Sequence, residues 1–117
     1  MKNMNDPDIL ESRRDILDLF ASYEAMLTPK QREVLNEYYR FDLSLSEIAS
    51  DSLVSRAAVH DAIEKAVAKM QSYEEKLHLV EKRKDIKKTI EAIEAVDDDK
   101  IKLELYQQLV KDLSNGI

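Results

Sequence analysis

With 117 residues and a formal net charge of −6, the chain has the length of one small domain and no basic surplus with which to hold nucleic acid by bulk charge. Hydrophobic residues make up 44%, too many for a disordered segment, while one Gly, two Pro and few aromatics argue against a sheet protein rich in tight turns. The lack of Cys excludes a disulfide framework and a thiolate metal site, and no apolar run approaches the length of a membrane span.

Ala, Leu, Ile, Glu, Lys and Asp dominate, which favours helices joined by short connections. The opening MKNMNDPDIL has no apolar block of the kind a signal peptide carries, so the expected location is the cytoplasm. Charge is spread evenly: residues 1–28 hold 3 bases and 6 acids, residues 29–78 hold 7 and 9, and residues 79–117 hold 8 and 9.

In chain order, Pro7 is placed to open a first helix with Asp6 as its cap. Ile9, Ile16, Phe20, Tyr23 and Leu27 then recur at helical spacing, and Leu10 and Leu17 widen the stripe. TPKQ at 28–31 is a strong start signal: Thr28 caps, Pro29 fits the first helical position, and Gln31 completes a capping box. This second helix is expected to reach about Arg40 and to bury Val34, Leu35 and Tyr38. Ser44 and Glu47 form a second capping box, opening a short helix near Leu45 to Asp51. Ser55 then caps a long helix.

Along that helix Val59, Ile63, Ala66, Met70, Tyr73 and Leu77 step by 4, 3, 4, 3 and 4, a seam of coiled-coil type. No Gly or Pro interrupts it, so it should run unbroken to about Leu77 with its seam buried, on the first helix or on a second copy. Two further helices follow Leu79. One carries Ile86, Ile90, Ile93 and Val96; the other carries Ile101, Leu103, Leu105, Tyr106, Leu109, Val110 and Leu113. The last is apolar around much of its circumference and should be sandwiched or should meet a partner, which predicts a homodimer.

The expected fold is therefore all-α, a helical bundle containing a helix-turn-helix within residues 7–78, with a two-helix C-terminal extension at 79–117 packed as part of one unit. In the helix-turn-helix, Ala49 supplies the small residue where the helices cross, and Ile48, Val54, Val59 and Ile63 lock them together.

The wider string LTPKQREVLNEYYRFDLSLSEIA, followed by SRAAVHDAI, resembles the YlxM family of small bacterial proteins, densely over Leu17 to Leu77 and thinly beyond. The resemblance implies a fold like region 4 of sigma-70 factors and a DNA-binding regulator with no catalytic activity. It also implies a link to genes of the signal recognition particle pathway. The implied partners are double-stranded DNA and a protein of the signal recognition particle or transcription machinery.

Two departures from such motifs stand out. Gly or Asn is usual at the turn, where φ is positive, but this chain has Leu53, with Ser52 where an apolar side chain normally packs. A left-handed Leu costs about 1–2 kcal/mol, which favours a different path with Leu53 pointing inward. The reading helix has Ala57 and Glu64 where longer polar or basic side chains are expected.

The outward face of that helix, Ser55, Arg56, Ala57, His60, Asp61, Glu64 and Lys65, is the candidate DNA-binding surface. Arg56 can donate two hydrogen bonds to guanine or clamp a phosphate, and His60 can reach a base acceptor. Asp61 and Glu64 repel phosphate unless Lys65 and Arg56 offset them or a carboxylate accepts from cytosine N4. The rival to DNA reading is a protein-interaction adaptor using this face or the C-terminal helices.

EKRKDIKK at 81–88 holds five bases against two acids and reads most simply as a solvated helix face. DDD at 97–99 reads as helix capping rather than a magnesium site. His78 suits the end of the long helix, where a cationic ring complements the dipole. Of Tyr38, Tyr39 and Phe41, two are expected in the core or at its rim. No cofactor or metal is expected. There is no Cys, no Gly-flanked Ser and only two separated His, so no catalytic residues are expected either.

Overall fold

A computed structural model describes the backbone of residues 8–116 and the side chains of residues 13–116. The proposed opening at Asp6 and Pro7 and the side chains of Ile9 and Leu10 lie outside the described residues. Those described form six α-helices and no strand: α1 (Asp8–Tyr23), α2 (Pro29–Leu35), α3 (Leu45–Ser52), α4 (Arg56–Leu77), α5 (Leu79–Glu94) and α6 (Asp99–Ser114). A 3-10 turn (Glu24–Met26) follows α1, and a π turn (Asn36–Arg40) extends α2. The chain forms two compact units, one ending at Val80 and the other beginning at Glu81.

In the first unit the cap chemistry follows the sequence closely. Thr28 Oγ1 accepts from Gln31 N at 3.1 Å while Gln31 Oε1 accepts from Thr28 N at 3.0 Å. Ser44 and Glu47 exchange the same pair of bonds at 3.0 and 2.9 Å. The Ser44 backbone N–H first, and its hydroxyl second, hold the Glu47 carboxyl below the ordinary range.

α4 is unbroken over 22 residues, and Val59, Ile63, Ala66 and Met70 are all buried, joined by Val67. The part beyond its first turns packs on α1, through a core that includes Ile16, Leu19, Phe20 and Tyr23. The seam fades toward its end: Tyr73 is half-buried and Leu77 is 41% exposed, so the expectation of a buried Leu77 fails.

The second helix also departs from its expected pattern. Tyr38 is only half-buried, and Tyr39 takes the core position instead at 3% exposure. The cause is the π turn, closed by Phe41 N donating to Asn36 O at 2.9 Å. A turn with an i→i+5 bond holds one residue more than an α turn, which shifts the inward position on by one. Phe41 is left 69% exposed. Burial pushes the Tyr39 phenol up to about 12. Arg13 of α1 fastens this corner by donating to Tyr39 O at 3.0 Å and pairing with Asp42, a residue at φ 55°.

The α4–α5 junction is held by one buried phenol and one carboxylate. α4 ends at His78, which is left-handed at φ 56°. Tyr23 Oη donates to Glu74 Oε1 at 2.6 Å and accepts from Leu79 N at 3.2 Å, and Val80 N donates to the same Glu74 oxygen at 2.9 Å. Two orphan N–H groups at the start of α5 are thereby satisfied from α1 and α4. Burial, then the bond to Glu74, raises the Tyr23 pKa.

The turn between α3 and α4 corrects the expectation about Leu53. Its side chain points outward at 92% exposure, and its backbone is left-handed at φ 57°, ψ 39°. The turn takes this path because it satisfies the end of α3: Val54 N donates to Ala49 O at 3.1 Å, and Leu53 N turns to the carbonyls of Ala49 and Ser50. Ala49 and Ile48 are buried at the crossing as expected, whereas Val54, expected to lock the helices, is 44% exposed.

In the second unit, Asp98 caps α6 by accepting from Lys100 N at 2.9 Å and Ile101 N at 3.0 Å. Val96 lies past the end of α5, and Tyr106 Oη donates to Glu94. Ile93 is buried, Ile86 is half-buried and Ile90 is 38% exposed. α6 contributes no buried residue, and Ile101, Leu103, Leu105, Val110 and Leu113 are exposed.

Because Leu53 packs on little and holds a conformation that Gly adopts without penalty, Leu53→Gly should stabilise the protein by about 1 kcal/mol. Urea denaturation of the two proteins checks this, and an equal or lower midpoint for the variant refutes the strained turn.

Candidate nucleic-acid interface

The start of α4 is built from a cap and two ridges. Ser55 Oγ accepts from Ala58 N at 3.0 Å, and Val59 N donates to Ser55 O at 3.1 Å. The N–H groups of Arg56 and Ala57, in the first turn, have no acceptor within the helix, so they and the positive end of the helix dipole face outward. With 3.6 residues per turn, the buried seam at Val59 and Ile63 turns two i, i+4 ridges to solvent. One is Arg56, His60 and Glu64; the other is Ala57, Asp61 and Lys65. All but His60 are exposed, and His60 is half-buried.

Side-chain pairs run along the ridges. His60 Nδ1 lies 2.7 Å from Glu64 Oε1, and Lys65 Nζ lies 2.9 Å from Asp61 Oδ2. Both are i, i+4 pairs on an open helix surface, worth a few tenths of a kcal/mol each. Their main effect is electrostatic: Asp61 is offset by Lys65, and the seven candidate residues carry no formal net charge with His60 neutral. Among the described residues Arg56 makes no ion pair, so its guanidinium stands free beside the uncapped amides. All seven residues therefore share one outward surface, headed by a free Arg at a helix N-terminus. Such an arrangement can receive a phosphate or a base edge.

On the opposite flank of α4, Ala58 and Ala62 help to line a groove of about 150 Å³ shared with α2 and α3. Glu33 and Glu37 stand at its edge. Their i, i+4 spacing on α2 and its π turn is the only sequence signal for that acidic edge.

A small residue at the crossing, a three-residue turn and an exposed, Ser-capped second helix define a helix-turn-helix protein. A family model described as "UPF0122: Putative helix-turn-helix protein, YlxM / p13 like" matches residues 10–113, and the chain belongs to that family. A UPF0122 protein of Oceanobacillus iheyensis is 43% identical over 105 residues, covering 90% of this chain and 99% of the relative. One from Fusobacterium nucleatum is 40% identical over 82 residues, covering 70% and 80% respectively. One from Bacillus licheniformis is 44% identical over 80 residues, covering 68% and 75%. Among the described residues no helix is long and apolar enough to cross a membrane, and no cluster of three or more His, Asp or Glu side chains could hold a metal.

Since Ser55 caps the first turn of α4, Ser55→Ala should cost about 1 kcal/mol of stability, and Ser55→Asp should retain most of it. Thermal melts of both variants check this; equal losses would mean that the side-chain cap is not the stabilising element.

Proposed function

We propose that this protein is a transcription-regulatory DNA-binding protein that reads duplex DNA with the first turns of α4. The observation that supports this most is the free Arg56 at the exposed, Ser55-capped N-terminus of a helix held rigidly against α3. Arg56 makes the principal contact, to guanine or phosphate, and His60 and Lys65 act at the flanks. Asp61 and Glu64 limit affinity. Genes of the signal recognition particle pathway are the field of regulation to which the family resemblance points.

Few bases face the duplex, so binding should be weak at physiological salt, with each phosphate contact contributing roughly −0.9 to the slope of log K against log salt. Arg56→Ala should cost about 1–3 kcal/mol if the contact is bidentate to a base, or flatten the salt slope by about one if it is to phosphate. Glu64→Lys should strengthen binding to any sequence. Titrations of duplex DNA at several salt concentrations, with both variants beside the parent, decide the matter. A parent that does not bind at low salt, and a Glu64→Lys protein that does not rescue it, would remove the DNA reading.

The functional form proposed is a homodimer, which presents two reading helices to two half-sites. α6 supports this with a stripe of Leu103, Tyr106, Val110 and Leu113, of which Leu103 is 57% and Val110 63% exposed. Sedimentation should show a dimer at tens of micromolar, dissociated by the double substitution Leu103→Glu, Val110→Glu. A parent that sediments as a monomer there would exclude this assembly.

A further inference from the structure

The groove on the far flank of α4 has a chemistry that DNA cannot use. Its floor is apolar: Val34, Ile48 and Val59 are buried beneath it, and the half-exposed Val54 closes one side. A cavity of about 150 Å³ accepts one large apolar group, on the scale of an aromatic ring or a leucine side chain. Glu33 is exposed on its edge, Glu37 stands one turn further along, and Asp51 of α3 is near enough to act on Glu37. Lys30 also lines the groove and is its one base.

The three carboxylates are not balanced as those of the reading ridges are. Burial, then Glu33 and then Asp51, all push the Glu37 pKa above its ordinary value. A cation brought to this edge would relieve the repulsion, whereas a phosphate or an acidic peptide would add to it.

We propose that the groove between α2, α3 and α4 docks a basic amphipathic helix of a partner protein, which seats one large apolar side chain on Val34, Ile48 and Val59 and sets its Lys or Arg side chains against Glu33 and Glu37. Helix-in-groove recognition needs an apolar slot with a charged margin, and both are present on one rigid face. The groove lies across α4 from Arg56, so docking there does not depend on the DNA reading.

The probes are two labelled helical peptides with identical apolar stripes, one of Leu and Lys and one of Leu and Glu. Their anisotropy is titrated with the full chain, and amide shifts map the site. The Leu–Lys peptide should bind and shift amides around Val34, Ile48 and Val54. The pair Glu33→Gln, Glu37→Gln should weaken it about tenfold. Folding provides an internal control with the opposite sign. A carboxyl with a raised folded-state pKa weakens the fold as pH rises through its titration. Glu37→Gln should therefore raise the melting temperature at neutral pH, and the gain should vanish in acid. Equal binding of the Leu–Glu peptide, Leu–Lys binding indifferent to the double substitution, shifts confined to other faces, or no binding at ~1 mM peptide would each overturn the proposal.

Discussion

The packing of one side of α4 against α1, α2 and α3 at once is the interaction on which the first unit depends. At 1.5 Å per residue this helix is about 33 Å long, enough to serve α3 near its start and α1 along the rest. Its phase is set by Val59, Ile63, Ala66 and Met70, which are all at or below 2% exposure. That phase determines everything on its surface. A shift of one residue would turn the ridges by 100°, carrying Arg56 off its outward face and Ala58 and Ala62 out of the groove. The proposed functional surfaces are thus consequences of the core: the same seam that holds the bundle together places Arg56 on one flank and the acidic groove on the other.

Most of this was legible because the governing interactions are local. A capping box needs only residues three apart, so Thr28–Gln31 and Ser44–Glu47 could be read directly, as could the cap at Ser55 and the unbroken 4-3 seam after it. What escaped was decided by competition between local cost and tertiary gain. The π turn at Asn36–Arg40 has no simple sequence signature, yet it decides that Tyr39 rather than Tyr38 fills the core. Leu53 is the sharper case. Propensity argues against a left-handed Leu, but the alternative would leave the last carbonyls of α3 without their donors from Leu53 and Val54. A few hydrogen bonds and the crossing at Ala49 outweigh about 1–2 kcal/mol of backbone strain. The candidate reading residues were legible as a shared face, since helical spacing alone groups them. Their pairing follows the same spacing, since Glu64 is the only acid three or four residues from His60 and Lys65 the only base three or four residues from Asp61.

Net charge proves a poor guide to what the acids do. Of the helix-turn-helix carboxylates, Glu47 is bound into a cap and Asp61 faces Lys65, so neither presents a free negative charge to an approaching phosphate. Glu74 is occupied by Tyr23 and Val80, and Asp98 by the first turn of α6. The groove acids are different in kind: among the influences on Glu37, none lowers its pKa. A charge-balanced surface and an acidic groove edge thus lie on different flanks of a single helix in an acidic chain.

The second unit raises the opposite problem, too little interior for its apolar content. Of the described side chains in α5 and α6, only Ile93 is buried, while five large apolar residues of α6 are exposed. A helical pair with one buried side chain and a few half-buried ones has little apolar burial of its own to set against the cost of ordering two helices. Burial of the α6 stripe by a second chain would supply the missing apolar area. The order of this unit would then depend on protein concentration, whereas the first unit, with its own closed core, would not. If the two units respond differently to dilution, the proposed DNA contact and the proposed association are separable in the same short chain.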